Sequence, residues 1–336
     1  MTGAPDGWDD AAVRSPGGHV LQSSIWARIR EQAGWRAEFL RIGDPLPLAL
    51  VLWRELPLGQ RLAYVPRGPI IAAAAQLQPA LVALASVARE GGAVFLKVDP
   101  EIDGDLARDA FAAAGFRPGA DIQPVVATLE LDLAPDEDAL FAALEKDTRW
   151  SVRQAEKRDV TVRDASGESD LRTLYDLYAE TGTRAGFITR TWDYYRRMWG
   201  ALTEAKFARV RLAERDGRAV AGALVWRCGE REVYQSAATN DAGRSAYAAY
   251  LLLWRCIIEA RRSGARCFDF GGIPLDVTRK DDPMHGPYVF KKGFGGTPRR
   301  FVGAHDFVPH PVAYRAYGVA EPAYTAALRL LGRLRP

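Results

Sequence analysis

The residues of this chain that could do chemistry are cations, aromatics and isolated carboxylates, not a nucleophile beside its base. Lys291 and Lys292 follow Phe290 and precede a Gly-Phe-Gly run. Asp99 lies between an apolar run and Pro100, where it fixes an amine or an adjacent hydroxyl, or accepts its proton, or else ends a strand as an ordinary Asp-Pro turn. Lys146, Arg149, Arg153 and Lys157 recur at steps of three and four, which places them on one helix face suited to a phosphate backbone. Asp147, Glu156 and Asp159 are interleaved with them, and a solvated face explains the pattern better. Three cysteines (Cys228, Cys256, Cys267) and four histidines (His19, His285, His305, His310) show neither metal-ligand spacing nor a paired framework. The cysteines read as reduced core thiols. No nucleophile elbow or catalytic triad signature is present.

The elements that position these residues occur twice. Leu50-Val51-Leu52-Trp53-Arg54 returns as Ala223-Leu224-Val225-Trp226-Arg227, and Arg61-Leu62-Ala63-Tyr64 as Arg231-Glu232-Val233-Tyr234. Gly92-Ala93-Val94-Phe95-Leu96 returns as Gly264-Ala265-Arg266-Cys267-Phe268, and the run from Phe111 to Phe116 as Phe290 to Phe294. The order is the same in both halves, at an offset of roughly 170 to 178 residues, too long for a solenoid repeat. Each half reads as a helix (Ile25 to Glu31; Thr191 to Ala201), a hairpin, an amphipathic helix ending at a glycine stop (Gly92, Gly264), and a β-rich run. That order predicts an α/β fold with mixed sheets and helices against them, built by internal duplication. It resembles the GNAT acyltransferase unit, in which two central strands splay apart to admit donor and acceptor. The expectation is therefore two tandem GNAT-like domains.

The ordered set of motifs also resembles the Fem family of peptidoglycan aminoacyltransferases, over about Gln22 to Phe307. The run Gln22 to Arg30, Tyr64-Val65-Pro66-Arg67-Gly68-Pro69 and Leu96-Lys97-Val98-Asp99-Pro100 carry the likeness in the first half. Thr181 to Phe187, Phe268 to Ile273 and Phe290 to Gly295 carry it in the second. The resemblance implies transfer of an amino acid from its tRNA ester to a stem-peptide amine of a nucleotide-linked (UDP) or lipid-linked muropeptide. It implies no cofactor beyond aminoacyl-tRNA as co-substrate. Attack of an amine on an ester needs alignment and positive charge where the oxyanion forms, which suits this residue set better than hydrolysis does.

By the same resemblance, Lys291 stabilises developing negative charge or holds the tRNA 3′ end, and Phe290 packs a base or sugar there. Ala112-Ala113 in the first half shows that the scaffold does not require lysine at the matching position. Arg30, four positions after Trp26, and Arg184 would grip a diphosphate; many family members have Lys where this chain has Arg30. Tyr234 would reach the acceptor at the mouth of the splayed sheet, while its counterpart Tyr64 suggests that an aromatic there is scaffold. The implied domains are 1–140 with 312–336 for the acceptor, and 141–311 for the aminoacyl-tRNA. The long coiled-coil arm of some members has no sustained heptad run to form it here.

Composition sets outer bounds. Of the 336 residues 48% are hydrophobic and 26% charged, a globular balance. No apolar run is long enough to span a bilayer, and the acidic N-terminus does not read as a signal peptide. Net charge is +3, with the cations concentrated between residues 141 and 307, so an anionic partner would prefer that half. The expected protein is a cytoplasmic monomer. Its tail from Ala323 to Pro336 reads as a basic amphipathic helix, docked back on the first domain or resting on the inner face of the membrane. Two rivals remain: an acyl-CoA-dependent acyltransferase and a non-catalytic duplicated scaffold. Against the first, Asn240 to Tyr247 holds one glycine where a pyrophosphate cradle needs several.

Overall fold

The computed structural model describes residues 3–123 and 125–319. The first copy runs α1 (Ser24–Glu31), β1 (Arg36–Arg41), β2 (Leu48–Glu55), β3 (Arg61–Val65), α2 (Leu77–Glu90), β4 (Ala93–Val98), α3 (Gly104–Ala113) and β5 (Arg117–Pro118). A connecting segment follows: β6 (Ala127–Asp132), α4 (Glu137–Ala143), α5 (Lys146–Lys157), β7 (Thr161–Asp164) and α6 (Gly167–Ala185). The second copy repeats the first: α7 (Trp192–Glu204), β8 (Ala208–Arg215), β9 (Arg218–Cys228), β10 (Arg231–Thr239), then α8 (Asp241–Ser245), α9 (Ala248–Arg262), β11 (Cys267–Gly272), α10 (His285–Lys292) and β12 (Thr297–Arg300). A last strand, β13 (His305–Phe307), precedes helical residues 311–319. Both glycine stops have positive φ, +65° at Gly92 and +86° at Gly264, a conformation that ends a helix at little steric cost.

Each copy builds an antiparallel trio whose third strand pairs in parallel with the strand after the helix. The six-stranded sheet has the order β1-β2-β3-β4-β13-β5, and the seven-stranded sheet β12-β6-β11-β10-β9-β8-β7. In the second sheet, parallel pairing of β10 with β11 covers only Arg231–Val233 against Cys267–Asp269. A bulge between Tyr234 and Ser236 then carries β10 onward beside β9 alone, so the sheet opens past Asp269.

The strand assignments depart from boundaries at 140 and 312. The strand that follows β5, β6, leaves the first sheet and inserts between β11 and β12. The strand that follows β12, β13, returns and inserts between β4 and β5. The two copies thus exchange their closing strands. Residues 127–132, expected in the first domain, pair in the second sheet, and residues 305–307 do the reverse. The tail from Ala323 to Pro336 lies outside the described residues.

Alternating side chains divide the packing. Leu48, Leu50 and Leu52 face a central core shared with α1, α7, β8 and β9, which includes Trp26, Trp199 and Trp226. Ala49, Val51 and Trp53 face α2 on the far side, and a separate core joins the second sheet to α5 and α9. The helix α6, at 19 residues the longest described, lies against β9 and β10 and does not form a projecting arm.

A buried ion pair secures the returning strand. Lys97 and Asp306 are register partners across β4 and β13, with Nζ 2.7 Å from Oδ1. Lys97 also donates to Ala120 O (2.8 Å), and the Tyr314 hydroxyl donates to Asp306 (2.7 Å). Lys97→Met is expected to cost about 3–5 kcal/mol by urea unfolding, because Asp306 is left buried without its counter-charge. Adding Asp306→Leu should recover most of that loss. If the double variant is no more stable than the single, the pair is not the cause.

Candidate active site

The first candidate region forms where β4 ends. Asp99 is buried; it accepts the Tyr64 hydroxyl on Oδ2 (2.8 Å) and the Arg67 backbone N–H on Oδ1 (2.7 Å). Gln123 donates to the Tyr64 oxygen from the other side (3.2 Å). Burial pushes the Asp99 carboxyl up to about 6, against the opposing charge of Arg67. Burial, followed by the Asp99 charge, raises the Tyr64 phenol and keeps it neutral. Tyr64 is thus a polar partner of Asp99 and not only a scaffold aromatic.

The second region forms where the other sheet opens. Lys291, in the last turn of α10, donates to Gly272 O at the end of β11 (2.7 Å). Burial lowers its ammonium to about 8, partly offset by Asp269. Asp269 accepts from Thr128 of the inserted β6 and from Gly271 N (2.7 Å), and burial pushes it up to about 6. Phe290 is half-buried and packs edge-on against Tyr250 (4.9 Å) and Phe294 (5.5 Å). Tyr234 marks the backbone position where the sheet splays, but its side chain is buried in the second core, 6.3 Å from Phe268. That location does not give it the acceptor-facing role expected of it.

Residues that the sequence reading did not single out connect the two regions. Arg67 lies 3.3 Å from Glu101 and donates to Val125 O (2.7 Å). Glu101 is also paired with Arg231, whose Nη1 lies 3.1 Å from Asp269 and 3.6 Å from Glu130. Burial alone would raise Glu101, yet Arg231, then His19 and Arg67, hold it at about 2. Burial would likewise lower Arg231, and the carboxylates of Glu101 and Asp269 reverse that. An unbroken polar chain therefore runs Tyr64–Asp99–Arg67–Glu101–Arg231–Asp269 between the sheets. It borders a cleft of about 320 Å³ that His19, Glu130 and Cys267 also line.

The two expected diphosphate arginines are held by different local partners. Arg30 lies over Trp35 (4.8 Å) and Trp26 (5.8 Å). Burial lowers its pKa, and Tyr194, Arg190, Arg54 and Tyr64 are near enough to act on its charge. It therefore shares the α1 side of the first sheet with Tyr64. Arg184, in the last turn of α6, donates to Thr239 O at the end of β10 (2.8 Å) and lies 3.8 Å from Glu180. Arg190, on the loop that follows, and Arg54 of β2 are cations the fold brings near Arg30.

Other expected features prove structural. On α5, Arg149 donates to Leu144 O (2.7 Å) and Arg153 stacks on Phe141 (5.3 Å), so half of the cationic stripe serves local packing. At the possible pyrophosphate turn, a Cβ on Gly243 would stand 2.2 Å from Val220 O, and its N–H is taken by the Asn240 side chain (2.9 Å). That glycine serves close packing. The three cysteines are free, and among the described residues no cluster of His, Cys, Asp and Glu could hold a metal. No described helix is long and apolar enough to cross a membrane.

Two units of this strand order in one chain, the second with its sheet splayed, define a class, the tandem GNAT-fold acyltransferase, and residues 142–292 match the acetyltransferase (GNAT) domain family. Residues 8–114 match the FemAB family. The chain is 25% identical to the lipid II:glycine glycyltransferase of Staphylococcus aureus (strain USA300), over 95% of both proteins. Its fold is similar to the crystal structure of FemX, with a TM-score of 0.83 at 22% identity, over 92% of this chain and 97% of that one. It is also similar to the C-terminal domain of a lysylphosphatidylglycerol synthetase from Agrobacterium fabrum, with a TM-score of 0.55 at 15% identity, over 89% and 94%. The chain is thus similar to Fem-type proteins along most of its length.

Proposed function

We propose that this chain transfers an aminoacyl group from an aminoacyl-tRNA ester to an amine on the stem peptide of a nucleotide-linked or lipid-linked peptidoglycan precursor. The observation that carries the reading is Lys291: a lysine lowered to about 8 by burial, held at the opening of a splayed sheet. Attack by the amine builds negative charge on the ester oxygen, and a fixed ammonium in poorly solvated surroundings opposes that charge most strongly in the transition state. The amine must be neutral to attack, and it gains positive charge as it does so. Asp99, ionised above about 6, is the carboxylate available to hold that amine and take its proton. The similarity to a lipid II:glycine glycyltransferase supports a muropeptide acceptor. The packing of Gly243 against Val220 counts against an acyl-CoA donor.

The direct test is incubation with a set of charged tRNAs and both kinds of muropeptide, followed by mass measurement of the acceptor. A gain of one amino-acid residue supports the reading. A gain of an acetyl group from acetyl-CoA, with none from any charged tRNA, reverses it.

The pH profile is a second expectation. With Asp99 active as a base and Lys291 as a cation, kcat/KM rises through about pH 6 and falls through about pH 8. Lys291→Arg keeps its charge at alkaline pH and should remove the upper limb. Because the acceptor amine also titrates, the comparison between variants is the decisive one. An unchanged upper limb in Lys291→Arg removes Lys291 from the assignment.

A further inference from the structure

A row of aromatic rings on the second copy leads from solvent to Lys291. Its outer end is Trp150 on α5, whose surface is 50% exposed. The Trp150 ring meets Tyr247 edge-on at 5.2 Å, Tyr247 lies 6.3 Å from Tyr250, and Tyr250 meets Phe290 at 4.9 Å. Phe290 immediately precedes Lys291. Tyr247 stands at the start of α9 with φ +59°, and the Arg158 guanidinium lies 4.8 Å from its ring centre.

The elements that carry this row touch one another. Glu145 N donates to Gly293 O (2.9 Å), joining the start of α5 to the end of α10. A Cβ on Gly293 would stand 2.1 Å from the Thr148 hydroxyl, so nothing separates the two helices. Lys146 and Lys292 are exposed at this junction. Asp147 is exposed there too and acts on the Tyr250 phenol, and Asp241 is paired with Arg244. The row is thus aromatic along its length, with Lys146, Arg158 and Lys292 beside it as well as Glu145 and Asp147, in the half of the chain where cations exceed acids.

A half-exposed tryptophan in line with further rings is the surface that unpaired bases stack on, and flanking cations suit their phosphates. We propose that Trp150, Tyr247 and Tyr250 form a stacking track for the unpaired 3′ end of the RNA donor, directing its terminal ester to Phe290 and Lys291. This rests on aminoacyl-tRNA being the donor. The track accounts for an exposed tryptophan that the core does not need.

Trp150→Ala and Trp150→Phe in the full chain test it, since an exposed side chain can be removed without unfolding the protein; thermal melts check this. The probes are a short RNA hairpin with a four-nucleotide unpaired 3′ tail and the same hairpin with a blunt end. Trp150→Ala is expected to weaken the tailed hairpin about tenfold and leave the blunt one unchanged. In transfer assays it should raise KM for charged tRNA by a similar factor, with kcat and the acceptor KM unaltered, and Trp150→Phe should restore most of the loss. Tailed-hairpin binding within twofold of wild type overturns the track, as does equal weakening of both hairpins. Loss of coenzyme A binding in place of RNA binding also overturns it. Absence of transfer from any charged tRNA in wild type overturns the donor reading itself, a different result from wild-type transfer that Trp150→Ala leaves untouched.

Discussion

Replacing Lys291 with methionine is expected to remove transfer while leaving the protein about as stable as before, or slightly more so. Burial holds the ammonium at about 8, below its ordinary 10.5, so the protonated lysine is worse off in the folded protein than in the unfolded chain. Between pH 8 and 10.5 the unfolded chain keeps a proton that the folded one has lost, and stability rises with pH across that window. Below pH 8 the full cost is present, on the order of 2 kcal/mol once partial exposure is allowed for. Methionine removes that cost and nearly matches the volume, while Gly272 O loses one hydrogen bond worth about 1 kcal/mol. The denaturation midpoint at pH 7 should therefore hold or rise slightly. Transfer should fall about 10²–10³-fold in kcat/KM, the usual consequence of deleting one charge-stabilising donor. A loss of several kcal/mol of stability would make Lys291 structural. Activity within tenfold of wild type would remove it from the chemistry.

Much of the fold was legible because the chain states it twice. Gly92 and Gly264 recur after helices and both have positive φ, and each half has the expected hairpin, turning at Pro57–Gly59 and at Gly229-Glu230. The exchange of β6 and β13 was not legible. A short strand carries its alternation with it whichever sheet it joins, and the three residues of β13 hold too little pattern to name a neighbour. The partner is chosen by tertiary contacts such as Lys97 with Asp306, which lie far apart in sequence.

The same contrast holds for the candidate site. Lys291 stood out because its counterpart in the other copy is alanine, a difference that the scaffold does not explain. Arg231 was hidden by the reverse effect: it matches Arg61 in the repeat and so read as scaffold. Arg61 is a partly exposed residue 3.6 Å from Glu55, whereas Arg231 is enclosed by Glu101, Asp269 and Glu130. Tyr64 and Tyr234 likewise share a position but not a role, one bonded to Asp99 and the other packed in a core. Repetition reveals backbone and conceals what each copy later did with a side chain. One available signal was Asp269, an acid between Phe268 and Phe270 in a strand otherwise suited to full burial.

Arg231→Met is expected to be the most destabilising single change to the polar chain, at about 3–5 kcal/mol at pH 7.5, because it leaves Glu101 and Asp269 buried without their shared counter-charge. Charge and packing explanations diverge with pH. In wild type Glu101 is held at about 2, so its contribution is complete above about 4.5 and is lost as pH falls toward 2. Asp99 and Asp269, pushed up to about 6, take protons more readily folded than unfolded and relieve the folded state between about pH 6 and 4. His19, lowered to about 3 chiefly by burial, works the other way, since the unfolded chain binds its proton below 6.5. Without Arg231, Glu101 and Asp269 both rise, and so does His19, which lies 3.8 Å from Glu101. All three changes make the folded variant bind protons more readily. The deficit relative to wild type should therefore be largest near pH 7.5 and shrink by more than half at pH 5. Urea unfolding at both values decides the matter, with Arg231→Met/Glu101→Leu as the variant that removes opposite charges together and recovers much of the loss. An equal deficit at both pH values would mean that Arg231 acts through packing, and the chain joining Asp99 to Asp269 would then carry no electrostatic coupling between the two halves.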